Sequence, residues 1–366
     1  MFVAWRDLRF AKGRFALMGT VVVLITLLVG LLSGLTAGLA RENTSAVTGL
    51  NADRLAFAAP PDGRSVSFTD SSVGEDAVRA WARQPGVTSA QPLGIRTLNA
   101  TAGTGERPPG TGERTAAVSA FGVEPGSGLA PPGTEVAPGE VVLSRGGADE
   151  LAVRAGDRLR LGGREVTVAA VAGDASYSHT PVVWTDLADW RRAGNGDARA
   201  TVIALTLTGA ADTAAGDRAA GTRTLTLADS LTAIGSYQAE NGSLQLMRGF
   251  LFVISALVIG AFFTVWTIQR SGDVAVLKAL GASTPYLLRD ALGQAVVMLV
   301  LGTGLGTALA SGIGVLVAGG SVPFVLDAAT LLVPAAVTIA LGAAGAALSI
   351  RRITAVDPLT ALGSAR

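Results

Sequence analysis

The chain has 366 residues, of which 49% are hydrophobic and only 16% charged, with a mean hydropathy of +0.46 and a formal net charge of +1. These values fall outside the usual range of soluble globular domains, and without a basic stripe interleaved with aromatics they speak against a nucleic-acid partner. With no cysteine and a single histidine, His179, the sequence excludes disulfides, thiolate chemistry and every two-histidine zinc motif.

Residues 1–14 set Arg6, Arg9, Lys12 and Arg14 against one acid, Asp7, with Phe2, Trp5, Leu8 and Phe10 supplying an apolar side. That pattern predicts a short cytoplasmic amphipathic helix lying on the inner membrane surface. Residues 15–39 are the first predicted span. The run is about 25 residues, too long for a signal-peptide core, and no A-x-A site closes it, so it reads as an uncleaved span.

Residues 40–247 change character, with more charge and proline and several short alternating stretches. Strands are predicted at 55–58, 66–69, 95–100, 116–121 and 141–144, and short helices at 76–84 and 186–192. The segment 157–172, DRLRLGGREVTVAAVA, predicts a hairpin turning on Gly162 and Gly163. Residues 101–112 and 210–221 read as flexible loops. Together these make an α+β domain of about 200 residues, large enough for its own core.

Three further spans are predicted at 248–268, 291–319 and 328–350. They are joined by a cytoplasmic segment at 269–290 and an outer turn at 320–327, and followed by a cytoplasmic tail at 351–366. Basic residues number four before the first span, three in segment 269–290 (Arg270, Lys278, Arg289) and three after the last span (Arg351, Arg352, Arg366), while the outer turn has none. The positive-inside rule then puts both termini in the cytoplasm and residues 40–247 outside. The fold expected is an α-helical membrane protein with four transmembrane helices and an inserted α+β extracytoplasmic domain.

Within 269–290, Val274, Leu277 and Leu280 recur at helical spacing, and Gly281 is placed as the residue that ends the helix. A helix there, between two spans on the inner face, is well placed to receive a push from a soluble partner. A P-loop requires G-x-x-x-x-G-K-[ST]; Ala11 precedes Lys12 and Leu277 precedes Lys278, so neither lysine fits. Energy from ATP would have to come from a separate subunit. Gly30, Gly34 and Gly38 recur every four residues in the first span, and Gly302 and Gly306 do so in the third. Small residues at this interval allow close helix approach, either within the chain or across a dimer seam.

Three stretches resemble the FtsX/MacB-type ABC transporter permeases: GDVAVLKALGAS at 272–283, RRITAVDPLTALGSAR at 351–366, and GEVVLSRGGADELAVRAGDRLRLGGREVTVAAVAGD at 139–174. The resemblance implies a MacB-like periplasmic core for the outer domain and a multi-pass protein of the bacterial cell membrane. It implies a permease homodimer among membrane lipid, with two cytoplasmic ATPase subunits that bind the ATP. It places ATPase coupling at Val274, Leu277, Lys278, Leu280 and Gly281, with no intrinsic cofactor. It also implies mechanotransmission, in which movement of the inner ends of the spans re-poses the outer domains without a channel.

Members of this family drive efflux of hydrophobic molecules, extract lipoproteins, activate wall hydrolases or, in the HrtB-type branch, export haem. The compact chain is similar to that last branch, whose tyrosines and glutamate near the outer surface correspond here to Tyr177, Tyr237 and Glu240. His179 and Met247 join them by residue type, as side chains able to ligate haem iron. The competing readings are interfacial anchoring for Tyr237 and Glu240, an ordinary hydrogen-bonded surface role for His179, and lipid or core packing for Met247. Export of haem or another amphiphile is the expected function. The alternative is a signalling permease that controls an extracellular partner such as a wall hydrolase or sensor kinase. No nucleophile–base pairing is legible around the lone histidine, so a catalytic outer domain is not expected.

Overall fold

The computed structural model describes residues 12–103, 113–194, 199–269, 281–317 and 322–354, together with Gly272, Val276 and Lys278. In chain order the first elements are α1 (Lys12–Thr48), β1 (Arg54–Ala58), α2 (Glu75–Ala82), β2 (Val87–Ala102), β3 (Arg114–Val123), β4 (Glu140–Leu143) and α3 (Arg145–Leu151). Next come β5 (Arg158–Leu161), β6 (Arg164–Val171), β7 (Ser176–Tyr177), β8 (Thr180–Asp186), α4 (Leu187–Ala193) and β9 (Val202–Leu207). The last are α5 (Thr213–Ala220), β10 (Thr222–Thr226), α6 (Leu227–Ser230), α7 (Gly235–Gln269), α8 (Thr284–Val317) and α9 (Ala328–Thr354). Two compact units result: residues 39–242, and residues 1–38 with 243–366.

The second of these is built from helices. Four are long and apolar enough to cross a membrane: Ala16–Thr48, Gly235–Gln269, Pro285–Val317 and Ala328–Ser349. Its interior clusters Met18, Val22, Ile259, Phe263, Ala295, Leu299 and Ala346. Leu257, Leu301, Leu316, Leu332 and Leu348 stay exposed, as lipid-facing side chains should. Glycine makes the contacts close. Gly345 lies against the backbone of Gly260, and Thr264 Oγ1 meets Ser349 Oγ at 2.9 Å between α7 and α9.

The glycine stripes settle into the chain's own packing. A Cβ on Gly30 would stand 2.9 Å from the Ala310 side chain, Gly306 abuts Thr26 and the Val23 carbonyl, and Gly302 abuts Val22. Gly34 and Gly314 receive the Phe324 ring, and Gly38 receives the Pro323 carbonyl. The Val325 N–H donates to the Gly34 carbonyl at 3.2 Å. Gly34→Val should therefore expel Phe324 and lower the thermal unfolding temperature of the purified permease, since overpacking costs about 1–3 kcal/mol. Gly304→Ala, where a Cβ meets nothing, should leave that temperature unchanged.

In residues 39–242 one long strand organises two layers. The Val87–Leu93 half of β2 pairs with β9, and the order β10–β1–β9–β2 makes an antiparallel sheet. Helix α2 connects β1 to β2, and α5 connects β9 to β10, each crossing over a strand in between. That is the interleaved split βαβ arrangement of ferredoxin-like sheets. Trp81 of α2 is fully buried, donates from Nε1 to Thr222 Oγ1 at 2.9 Å, and lies on Gly216 of α5. The Gly94–Ala102 half of β2 pairs with β3 and, at its end, with β5. The path β2–β3–β8–β4–β6–β5 thus returns to β2, closing a six-stranded barrel between the second and third strands of the split unit.

The expected hairpin at Gly162 and Gly163 is present, with φ of 54° and 84° at the two glycines. Strands expected at 55–58, 95–100 and 116–121 lie within β1, β2 and β3, and the one expected at 141–144 falls on β4 except for Ser144, which caps α3. Residues 66–69 form no strand: Phe68 is instead buried, edge-on to Phe57 at 4.8 Å, and its N–H donates to the Ala233 carbonyl. Residues 210–221 are not a loop but contain α5. Asp212 caps it by accepting from the Ala214 and Ala215 N–H groups, and Gly221 ends it at φ 64°. Both end signals stood in the sequence. Residues 101 and 102, expected in the 101–112 loop, continue β2, and 104–112 lie outside the described residues. Residues 1–11 and 355–366, which hold most of the expected amphipathic helix and tail, also lie outside them.

Candidate functional site

The site begins at the two-residue turn between β7 and β8. Ser178 and His179 occupy it with φ of 51° and 61°. Left-handed values at both central residues define the tight hairpin turn usually given to Asn-Gly or Asp-Gly, so Ser and His need outside support to hold it. The Ser178 N–H donates to the Asn43 carbonyl at 3.0 Å, and Ser178 Oγ meets Ser236 Oγ at 2.8 Å. The Ser176 N–H donates to Ser45 Oγ at 2.9 Å. The turn is thus tied to the last part of α1 and the first turn of α7.

Asn43 is the hub. It is fully buried, and a buried amide must satisfy both ends. Its Oδ1 accepts from Ser236 Oγ at 2.9 Å, and its Nδ2 donates to Glu240 Oε2 at 3.2 Å. His179 Nε2 lies 2.8 Å and 3.0 Å from the two carboxylate oxygens of Glu240. An acceptor-only carboxylate requires that Nε2 carry the proton; the 3.2 Å approach of Asn43 Nδ2 to Nε2 then sets two donors side by side on one carboxylate. Glu42 Oε2 stands 3.7 Å from His179 Nδ1. The side chains of His179 and Glu240 keep 30% and 43% of their surface accessible, so the carboxylate is gripped on one side and open on the other. Among the described residues no group of three or more His, Cys, Asp and Glu is placed to hold a metal ion.

Of the residues singled out in the sequence, only His179 and Glu240 are brought together by these bonds. Tyr177 corrects the expectation of a surface contact: it is 8% exposed, with its ring edge-on to Phe68 at 5.7 Å and Phe121 at 5.8 Å. Burial pushes its phenol above the ordinary tyrosine value, which disfavours the phenolate that an iron ligand would need. Tyr237 is half-buried against the same core. Met247 sits about half exposed farther along α7, in the helical unit, outside the cluster. Residues 236–247, which the sequence reading leaves in the 40–247 domain, are the opening turns of α7. Asn43, Ser178 and Ser236 went unmarked in the sequence. Their only signal is a polar ENTS ending to an apolar helix and a serine beside Tyr177, His179 and Tyr237.

The predicted coupling residues Val274, Leu277 and Leu280 lie outside the described residues. Lys278 is helical, and the Gly281 N–H donates to its carbonyl at 3.0 Å. Gly281 has φ 96°, the left-handed conformation expected of a helix-ending glycine.

The MacB-like periplasmic core domain family matches residues 16–222, and the FtsX-like permease C-terminal family matches residues 246–358. The chain belongs to the FtsX/MacB-type ABC transporter permeases. Membership makes it a multi-pass cell-membrane permease that works with a cytoplasmic ATPase. Two chains of Staphylococcus epidermidis named "Putative hemin transport system permease protein HrtB" are each 25% identical over 99% of this permease and 99% of their own length. An uncharacterized ABC transporter permease of Mycobacterium tuberculosis is 25% identical, again over 99% of both chains. The extracellular domain of the ABC-type transporter YknZ from Gram-positive bacteria aligns at 12% identity and a TM-score of 0.33, over 50% of this permease and 93% of that domain. The periplasmic region of MacB from Actinobacillus actinomycetemcomitans aligns at 10% identity and 0.34, over 50% and 92%.

Proposed function

We propose that this permease exports haem, or an amphiphile of that class, from the membrane, and that Glu240 and Tyr237 at the start of α7 contact the cargo. The observation that carries the reading is the Glu240 carboxylate, gripped by His179 and Asn43 yet 43% accessible. The full-length relatives named for hemin transport support the same cargo. The permease works as a homodimer with two ATPase subunits. It transmits their movement through α1 and α7 to the outer domain, with both termini cytoplasmic, in keeping with the basic residues gathered at 1–14, 269–290 and 351–366. The chain itself is non-catalytic. Against the signalling alternative, every large apolar side chain found exposed among the described residues lies in the helical unit, whereas a partner-gripping surface usually presents an apolar patch.

The test is hemin tolerance in cells carrying the permease and its ATPase. The pair Tyr237→Ala and Glu240→Ala should reduce tolerance to that of cells lacking the permease, while the ATPase still co-purifies with it. Unchanged tolerance would remove haem as the cargo.

A further inference from the structure

We infer that His179 and Asn43 are positioning residues, which aim the Glu240 carboxylate at the cargo without touching it. The inference rests on the reading of Glu240 as a cargo contact. It revises the role of His179, which the sequence offers as an iron ligand in its own right.

The geometry separates the two roles. The Nε2 atom faces both Glu240 oxygens at 2.8 and 3.0 Å. Its proton is committed to the carboxylate, so the ring has no free lone pair on that side. On the other edge, Nδ1 faces Glu42 at 3.7 Å. Asn43 is more constrained still. It is fully buried, its Oδ1 is committed to Ser236, and its amide donates to Glu240 Oε2. Both residues direct a donor at Glu240, whereas Glu240 has lone pairs to spare, because a carboxylate offers about four acceptor positions. A lone glutamate on a helix surface would sample many rotamers, and a cargo would have to order it at a cost in affinity. Here that ordering precedes binding. The donors come from places far apart in the chain, one on α1 and one on a turn whose left-handed conformation is itself anchored to Asn43 by the Ser178 N–H.

The experiment is hemin titration of the full-length permease in detergent micelles, followed by Soret absorbance. Glu240→Gln should weaken binding by about tenfold or more, as expected for loss of a charged contact. His179→Leu and Asn43→Leu should each weaken it by about three- to tenfold, the size of one ordered side chain. His179→Gln keeps an N–H donor and should bind within about twofold of the parent. The decisive reading is the double variant: in a Glu240→Gln background, His179→Leu should cause no further loss, because a residue acting through another has nothing left to act on. Additive losses, or an iron spectrum altered only when His179 is replaced, would show that His179 touches the haem and would overturn the inference. Parent-like binding by His179→Leu, with Glu240→Gln impaired, would overturn it while leaving Glu240 as the contact. Parent-like binding by Glu240→Gln would overturn both. If Asn43→Leu does not assemble, the His179 cycle decides alone.

Discussion

A Leu280→Asp permease should insert into the membrane and keep its outer domain, yet fail to capture its ATPase. Val274, Leu277 and Leu280 recur at helical spacing in the polar interval 269–290 between two spans, which predicts an apolar side for that segment. The resemblance of segment 272–283 to the family's coupling segment leads us to expect the ATPase to contact these residues. An aspartate buried there unpaired would cost about 3 kcal/mol or more, which corresponds to roughly 100-fold weaker association. Leu277→Asp should do the same, and Leu277→Met, an apolar swap, should do neither. Co-purification of the two subunits and ATP hydrolysis by the assembled complex are the measurements. Full ATPase capture by both aspartate variants would move the coupling site elsewhere.

Trp190→Ala should unfold the barrel of the outer domain far more readily than any change at the surface. Trp190 of α4 is 4% exposed, and a Cβ on either Gly94 or Gly122 would collide with its indole. Its Nε1 donates to the Ala120 carbonyl at 3.1 Å, and the Arg96 guanidinium stacks 4.3 Å from the ring centroid. Truncating a buried tryptophan costs about 3–5 kcal/mol, and the lost hydrogen bond to the Ala120 carbonyl adds to it. Pulse proteolysis of the full chain in micelles should therefore find the open outer domain populated at least about 100-fold more than in the parent. Trp190→Phe, which keeps most of the packing and loses the hydrogen bond, should cost about 1 kcal/mol. A Trp190→Ala chain as resistant as the parent would mean that α4 is peripheral to the barrel.

These cases mark how far local pattern reaches. The four apolar helices were legible because crossing a bilayer asks only for a long apolar run, and the Gly162–Gly163 hairpin because two glycines at once suit a left-handed turn. Residues 66–69 look like a strand, but Phe68 is held by Phe57 and by the Ala233 carbonyl, contacts that no local window contains. Residues 210–221 were the reverse case: Asp212 and Gly221 marked a helix, and the small polar composition between them hid it.

Length, hydropathy and the placement of basic residues were enough by themselves to settle a membrane protein with an inserted domain, since partition between water and lipid acts on each segment almost independently. The residue types of the candidate site, Glu240 and His179, could also be picked from the chain. Their meeting could not. It depends on a turn at 178–179 reaching α1 and α7 at once, with Asn43 buried between partners 136 and 197 residues away. The direction of Tyr177 was equally out of reach, because a two-residue strand has too little alternation to reveal its inner face. Hydrogen bonds and burial across such separations exist only once the sheet and both helices have assembled, and for that reason tertiary structure alone could divide the marked residues into a gripped carboxylate, its donors and a core aromatic.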